Sequence, residues 1–508
     1  MPRNLLLPLA ALAAVATSLL LTVPQLQFRW DYHNDEPTKV NQIRDRAWNL
    51  RHPPLMLELA AGLSRLTGRT EPQQLAVCGR LLSALAVSLT IAAGLLLAAW
   101  RAGTAAGLGA GALLLAQPQL FEAAHYFKED ALFLAGIMAV LLALAGRERQ
   151  KIFNLQYKIF NLFLAVALAL TVSIKYIGWL MLPLVVLCWW LERGPAGDRR
   201  RAGDRRRDWV WPLTVFLALT LAINAPLLAD WHGFRAALGD EWYRLGAGDY
   251  GLAAARPLAR DYLLLLLWRL PPALLVGWLC YLGCRLARYR STGAAEWALL
   301  GTPVLAMLLL ALTAKFSERY LLPVVVLISV AGWYGPLLLI GEWAGARRRL
   351  AVTARLATAA LLAFSAGVTW AGQWRGIHRG FQHDSRAELT AWICARLPAD
   401  AVIAADTYAK LNPFALRERV LLDNFFVADI GTLEELRQLG VTHLVISYDV
   451  YHRFIDGSVA PAPNQAADFQ RRRQFYTAAR DHLRVLWQDD NADPKALHPG
   501  LLLLEVGR

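Results

Sequence analysis

Long apolar runs alternate with short charged segments over the first three quarters of the chain. A helix needs roughly 20 apolar residues to cross the hydrocarbon core of a bilayer, so these runs predict about eleven spanning helices. The first run could also be a cleaved signal peptide, but its apolar residues continue through LLLTV at 19–23 and favour an uncleaved span. The predicted spans are 5–25, 75–98, 103–118, 130–146, 156–173, 177–191, 209–229, 262–284, 297–313, 320–341 and 351–371.

After about residue 375 the pattern changes to frequent charges and short β-rich runs. These runs are AVIAAD (401–406), RVLLD (419–423) and THLVISYD (442–449), and GTLEELRQLG (431–440) predicts a helix with a glycine stop. Strand, helix and strand in this order indicate a small α/β domain. We therefore predict a mainly α, polytopic membrane protein, residues 1–374, followed by an extracytoplasmic α/β domain, residues 375–508.

Composition and charge support the membrane assignment. The 508 residues are 56% hydrophobic and carry a formal net charge of +14. Nucleic acid is excluded as the reason for this charge, because the arginines cluster in short loops between apolar runs, the pattern that orients membrane helices. The pattern predicts a cytoplasmic N-terminus in a bacterial inner membrane and a periplasmic C-terminal domain. The five cysteines form no metal-binding set.

If eleven spans are counted, the ionic segments at helix ends all fall on one membrane face. They are NDEP (34–37), HYFKED (125–130), SIKYIG (173–178), the loop near 230–261 and KFSERY (315–320). We expect these five segments to converge on one extracytoplasmic site.

Asp35 and Glu36 directly follow the first span and its short aromatic extension. A carboxylate just outside the hydrocarbon can accept a proton from a hydroxyl nucleophile, since partial desolvation raises its pKa and a nearby cation keeps it ionised. The alternative is a solvated acidic turn or a helix N-cap.

The other candidate residues also have structural alternatives. Glu129 and Asp130 can cap a helix, Lys175 can extend to lipid headgroups, Arg319 can form a surface ion pair with Glu318, and a lone histidine such as His52 is more often structural. A lipid-phosphate substrate gives Lys175 and Arg319 a different role, which is to bind the leaving phosphate. The predicted substrate contacts are Glu36, His52, His125, Glu129, Asp130, Lys175, Arg319 and Tyr320.

In the order of these motifs the sequence resembles the GT-C glycosyltransferases, and most of all the protein O-mannosyltransferase and aminoarabinose-transferase relatives (families 39 and 83) that use polyprenyl-phosphate sugars. The resemblance implies that Asp35 is the catalytic base and that substrate or phosphate contacts lie near Glu129, Asp130, Lys175 and Arg319. Pro37 and Thr38 stand where the aminoarabinose transferases have Ala and Arg. The similar stretches are NDEP (34–37), HPPL (52–55), HYFKEDALF (125–133), SIKYIGW (173–179) and ERYLLPV (318–324).

The expected reaction is sugar transfer from a polyprenyl-phosphate donor to an acceptor hydroxyl of a protein, lipid or glycan, with inversion. No cofactor is required, although a divalent metal ion bridging Asp35 and Asp130 is compatible with the scheme. Two alternatives remain open at this point: a transporter or flippase of a lipid-linked glycan, and a non-catalytic assembly subunit whose outer domain binds a partner.

Overall fold

The computed structural model describes residues 3–149, 155–191, 199–248, 252–254, 258–289, 292–314, 316–344, 348–457, 459–489 and 497–507. The N-terminal part of the described chain is helical. Its helices are α1 (Arg3–Thr22), α2 (Glu36–Asp45), α3 (Leu55–Thr67), α4 (Pro72–Ala102), α5 (Thr104–Leu115), α6 (Pro118–Ala124), α7 (Glu129–Arg149), α8 (Leu155–Ile174), α9 (Met181–Leu191), α10 (Arg199–Ile223), α11 (Ala225–Ala229), α12 (Trp231–Ala247), α13 (Leu258–Arg269), α14 (Pro272–Ala287), α15 (Ala294–Ala311), α16 (Leu322–Ala344) and α17 (Arg348–Arg379).

Apolar helices make the chain an integral multi-pass membrane protein, but the predicted number of eleven spans is not confirmed. Within the described residues, six helices are long and apolar enough to cross a membrane, or seven if one bent pair counts as a span. Helices α5, α8, α9 and α10 also coincide with predicted spans, but their apolar parts are shorter than 18 residues.

The predicted span 262–284 is not a straight helix. It is divided into α13 and α14, whose axes differ by 112°. The break falls at Pro271 and Pro272, because proline has no N–H to donate and its ring clashes with the preceding turn. Arg269, the last residue of α13, is buried at this corner and pairs with Glu318.

The long helices pack closely through small residues. A Cβ atom on Gly332 of α16 would lie 2.1 Å from the carbonyl oxygen of Leu274 on α14, and one on Gly277 would lie 2.6 Å from the carbonyl oxygen of Gly332. Without side chains at these positions the two backbones approach each other directly, as small residues allow in membrane bundles.

At one end, the helices are joined by a balanced ionic group that we call the Glu296 cluster: Arg101, Glu148, Arg285, Arg288, Glu296 and Glu342. Arg285 lies 3.6 Å from Glu296 and 2.7 Å from Glu342, and Tyr281 donates to Glu296 at 2.6 Å. From Glu148, helix α7 rises about 1.5 Å per residue to Asp130 at its other end. The separation of roughly 27 Å is close to the thickness of a hydrocarbon core.

The C-terminal part is the predicted α/β domain. Its five-stranded sheet has the order β3-β2-β4-β7-β6, in which β2, β3 and β4 are parallel and β7 and β6 are antiparallel to their neighbours. The sequence correctly predicts the first three strands of this sheet but misses the last two. The elements are α18 (Ser385–Arg396), β2 (Val402–Asp406), β3 (Val420–Asn424), α19 (Leu433–Gln438), β4 (His443–Ser447), α20 (Tyr448–Ile455), β5 (Val459–Pro461), α21 (Ala466–His482), β6 (Arg484–Gln488) and β7 (Leu501–Glu505).

Two loops of the helical part are attached to this domain. A short strand, β1 (Leu252–Ala254), in the loop after α12 pairs antiparallel with β5 of the domain. In the first loop, the hydroxyl of Tyr32 donates to Asp384 at 2.7 Å, and the guanidinium of Arg386 lies 4.4 Å from the centre of the Tyr32 ring. Helix α17 continues past the predicted boundary at 374 and ends at Arg379.

Candidate active site

Asp35 lies at the centre of an ionic group formed by three separate segments. One carboxylate oxygen, Oδ2, is 2.8 Å from the ammonium of Lys128 and 3.2 Å from the guanidinium of Arg319. Lys128 directly precedes α7, and Arg319 lies in the short turn before α16. Asp35 does occupy the N-cap position of α2, but its side chain makes no cap hydrogen bond. The carboxylate therefore forms its ion pairs with cations from other segments and does not cap its own helix.

Asp130 and Lys175 extend this group. Their side chains form an ion pair, and Arg319 Nε lies 3.7 Å from the second carboxylate oxygen of Asp130, so Arg319 bridges Asp35 and Asp130. The ammonium of Lys175 lies 5.6 Å from the centre of the Tyr320 ring, a cation–π distance. Glu318 pairs with Arg269, which leaves its predicted partner Arg319 to the two aspartates.

Glu129 pairs with Lys39 of α2, and both side chains are buried. His52 is exposed beside this pair and within electrostatic reach of Glu129 and Lys175. We call the whole group the Asp35 cluster: the acids Asp35, Glu129 and Asp130 and the bases Lys39, Lys128, Lys175 and Arg319. Of the seven residues that define this cluster, four are cations and three are carboxylates, an arrangement that suits an additional anion.

The cations control the ionisation of Asp35. Burial alone would raise its pKa, but the interactions with His33, Arg319 and Lys39 outweigh burial and lower the pKa to about 2; near pH 7 the positive charge comes from Arg319 and Lys39. The expected rise in this pKa is therefore wrong. Burial lowers the pKa of His33 to about 4, so its imidazole is neutral near pH 7. It accepts the backbone N–H of Asp35 at 3.2 Å.

Glu36 has no exposed surface, which is a correction to its predicted contact with substrate. Arg80 Nε donates to one of its oxygens at 3.1 Å, and the backbone N–H of Phe127 donates to the same oxygen at 2.8 Å. Arg80 also donates to the carbonyl of Leu26 at 2.7 Å. The Glu36–Arg80 pair thus anchors the loop that carries Asp35 to helix α4.

His125 is also removed from the predicted contacts by its surroundings. It is fully buried, its Nδ1 lies 2.7 Å from the carbonyl oxygen of Phe121, and its ring centre is 4.4 Å from that of Phe381. It belongs to an aromatic layer under the C-terminal domain. The sequence segment HYFKED thus divides: its first residue packs in this layer, while its last three contribute to the Asp35 cluster.

The loop near 230–261 reaches the same region through α12. Asp240 pairs with Arg51 at 3.0 Å, next to His52, and Glu241 lies within electrostatic reach of His52. On its other side Asp240 lines a cleft of about 380 Å³ between α12 and the C-terminal domain. The described parts of the five predicted segments therefore meet at one end of the helices; Lys315, 249–251 and 255–257 lie outside the described residues. The cleft is further lined by Tyr243, Arg244, Gly248, Phe426, Gln465 and Arg472.

Sequence reasoning missed three cations of this region: Lys39, Lys128 and Arg80. Lys39 and Lys128 lie within or beside the segments that the sequence singles out, but polarity alone does not show which acid each lysine joins. Arg80 left a clearer signal, since it is a lone charge near the start of the apolar run 75–98. Such a charge implies a buried partner, which proves to be Glu36.

No protein-family model and no curated protein sequence matches the chain. Solved structures do. The chain is similar to ArnT from Cupriavidus metallidurans bound to undecaprenyl phosphate, with a TM-score of 0.52, 15% sequence identity and 98% of both chains covered. It is also similar to the oligosaccharyltransferase AglB from Archaeoglobus fulgidus in complex with an inhibitory peptide and a dolichol-phosphate, with a TM-score of 0.53 and 13% identity over 89% of this chain and 71% of that one.

At this level of identity the likeness concerns the fold. Both relatives are membrane transferases of the GT-C type, and the match to ArnT extends over the C-terminal domain as well as the helices. The GT-C fold predicted from the sequence is therefore confirmed.

Proposed function

We propose that this protein is a membrane glycosyltransferase that moves a sugar from a polyprenyl-monophosphate donor to an acceptor hydroxyl. The observation that carries the proposal is the Asp35 cluster, a surplus of cations around a half-exposed carboxylate at one end of a GT-C fold. The cations suit the donor's phosphate, and Asp35 suits the acceptor's proton. ArnT, which has the same fold, is bound to undecaprenyl phosphate, a lipid of the proposed donor class.

In the proposed reaction, Asp35 takes the proton of the acceptor hydroxyl while the oxygen attacks the anomeric carbon opposite the phosphate. The new oxygen–carbon bond forms as the bond between that carbon and the phosphate oxygen breaks, so the configuration inverts. Polyprenyl phosphate leaves with the electron pair, and Lys175 and Arg319 stabilise its charge. Phosphate is a good leaving group without protonation, so a second acid is not needed.

A carboxylate whose pKa is held at about 2, as that of Asp35 is, is a weak base. A general base works best with a pKa near the operating pH. Lys128 and Arg319 hold the same carboxylate oxygen, and both are suitable partners for phosphate. Donor binding would therefore draw these cations away from Asp35 and raise its pKa, so that the base becomes active only when the donor is present.

The test is release of polyprenyl phosphate by the purified protein from a panel of prenyl-phosphate sugars. Asp35→Asn should lower this rate by about 10²–10⁴-fold, the usual contribution of general-base catalysis. Asp45→Asn is the matched control, because Asp45 ends the same helix and pairs only on the surface with Arg44. A native rate in Asp35→Asn would refute the role of Asp35. If no donor is turned over at all, the alternatives are favoured, namely a transporter, a flippase or an assembly subunit.

The scheme uses no metal ion, since Lys128, Lys175 and Arg319 supply the positive charge. Treatment with a chelator should leave the rate unchanged. Loss of activity that is restored by a divalent ion would instead favour a metal between Asp35 and Asp130.

We assign the Asp35 cluster to the extracytoplasmic side, because Arg101, Arg149 and Arg288 lie at the opposite ends of their helices. In intact bacterial cells, and with the five native cysteines replaced, a cysteine introduced at Asn34 should react with an impermeant maleimide, whereas one introduced at Arg149 should react only after permeabilisation. The reverse pattern would invert the assigned topology.

A further inference from the structure

One face of α12 carries exposed aromatic and aliphatic side chains that the proposed reaction does not use. Trp231, Leu238 and Trp242 are separated by seven and four residues, which brings them to one side of a helix. Their exposed fractions are 48%, 39% and 76%. We call these three residues the α12 stripe. Such a row of large apolar groups marks an interaction surface.

The opposite face of the same helix is polar and directed towards the site. Asp240 pairs with Arg51 at 3.0 Å and with Arg244 at 3.3 Å, and both Asp240 and Arg244 line the cleft against the C-terminal domain. Because Asp240 is two residues from Leu238 and from Trp242, it lies on the far side of the helix from the stripe. The helix therefore separates the site from whatever covers the stripe.

The apolar surface of a membrane helix leads directly to the stripe. On α10, Leu213, Leu217 and Leu221 are exposed at successive helical turns, and Leu228 of α11 is exposed next along the chain. Trp231 begins α12 only three residues later. The stripe thus begins ten residues after the last exposed leucine of α10, close along the chain to an apolar helix side that lipid covers in a membrane.

The residue types fit the boundary between hydrocarbon and water. Tryptophan is enriched at this interface because its ring is amphipathic, and the exposed side chain of Arg235 lies beside the stripe, where anionic headgroups can bind it. We propose that α12 lies in the headgroup layer of the bilayer, with Trp231, Leu238 and Trp242 inserted among the lipids.

This arrangement gives α12 a second role. Through Asp240 it holds Arg51, the neighbour of His52, and through the following strand β1 it is joined to the C-terminal domain. The depth of α12 in the headgroup layer then determines how far the candidate active site lies from the bilayer. The inference concerns the helix itself and does not depend on the transfer reaction.

The experiment measures the depth of single nitroxide labels. Labels are introduced one at a time at Leu238 and Trp242, and as matched controls at Ala236 and Tyr243 on the other face, after the five native cysteines have been replaced. The full chain is reconstituted in phosphatidylethanolamine–phosphatidylglycerol vesicles. Power saturation then gives the accessibility of each label to oxygen, which concentrates in lipid, and to a water-soluble nickel chelate.

We expect the labels at 238 and 242 to be accessible to oxygen. Their accessibility to the nickel chelate should be at least threefold lower than that of the labels at 236 and 243. Equal, water-like accessibility at all four positions would overturn the proposal. Shielding of 238 and 242 from both reagents, with immobile spectra, would also overturn it, because the stripe would then be covered by protein and not by lipid.

Discussion

The Asp35 cluster and the Glu296 cluster are both ionic networks at the ends of the same helices, yet they differ in balance and exposure. Three arginines face three glutamates in the Glu296 cluster, whose central pair Arg285 and Glu296 is only 8% exposed, although Arg288 at its edge is 59% exposed. Four cations face three acids in the Asp35 cluster, where the side chains of Asp35 and Arg319 are 48% and 36% exposed. A balanced network with a buried central pair fastens helices. An open network with a surplus cation has capacity for a ligand.

The largest expected effect tests the fastening role. Arg285→Met leaves the carboxylate of Glu296 buried. Its nearest remaining cation among the described ion pairs is then the guanidinium of Arg101, at 3.9 Å. Breaking a buried pair from one side costs about 3–5 kcal/mol, so the thermal unfolding midpoint should fall clearly, while sugar transfer per folded molecule changes less than about twofold.

Arg288→Met is the matched control, because Arg288 pairs with Glu342 at 2.9 Å but is 59% exposed. Its cost should stay below about 1 kcal/mol. An unchanged midpoint in Arg285→Met, together with lost binding of undecaprenyl phosphate, would reverse the roles of the two clusters.

The next largest effect tests whether the Asp35 cluster binds a phosphate ligand. Arg319→Met should weaken binding of undecaprenyl phosphate by about 10–100-fold, since a hydrogen bond to a charged group contributes about 1.5–3 kcal/mol. Stability should change little, because the side chain is partly exposed. Native mass spectrometry can measure the affinity, with Arg44→Met, a surface pair at the same end, as the control. Equal loss of affinity in both variants would indicate a general charge effect.

A smaller effect tests the competition for cations. Asp35→Asn should bind undecaprenyl phosphate about two- to fivefold more tightly, since an exposed ion pair contributes up to about 1 kcal/mol and the amide no longer holds Lys128 and Arg319. The same variant should lose transfer activity. Asp45→Asn should show neither change. Weaker binding by Asp35→Asn would mean that the carboxylate itself contacts the ligand.

The smallest effect concerns pH. The folded-state pKa of Asp35 is about 2, below its ordinary value of 3.8. Its ion pairing is therefore complete above about pH 4 and is lost as the pH falls towards 2. The difference in thermal unfolding midpoint between the native protein and Asp35→Asn should therefore stay constant from pH 8 to pH 5, and unfolding at three pH values can check this. A difference that disappears near pH 5.5 would show that the cations do not control Asp35.

The sequence predicted the meeting of Asp35, Asp130, Lys175 and Arg319 because helix ends on one face must lie together. It could not show how the charges pair. Glu318 is the neighbour of Arg319 in sequence, but the bend at Pro271 brings Arg269 to Glu318 and leaves Arg319 for the two aspartates. The pair of prolines was the available signal for that bend.

The neighbours Asp35 and Glu36 have opposite environments, and the sequence does not predict this difference. Asp35 is half exposed and Glu36 completely buried, because the first turn of α2 directs one side chain to the site and the other towards Arg80 on α4. Strand β7, LLLLE, reads as another apolar run. Its place beside β4 depends on contacts between segments more than fifty residues apart.

The short ladder between β1 and β5 has a consequence for dissecting the molecule. A chain shortened to the helical part would leave β1 with an unpaired edge. Tyr32, which lies three residues before Asp35, would lose its hydrogen-bond acceptor Asp384. The helical part, expressed alone, would thus lose the supports of two of its loops. Residues 375–508 supplied as a separate polypeptide should restore these two supports only if that polypeptide binds to the helical part.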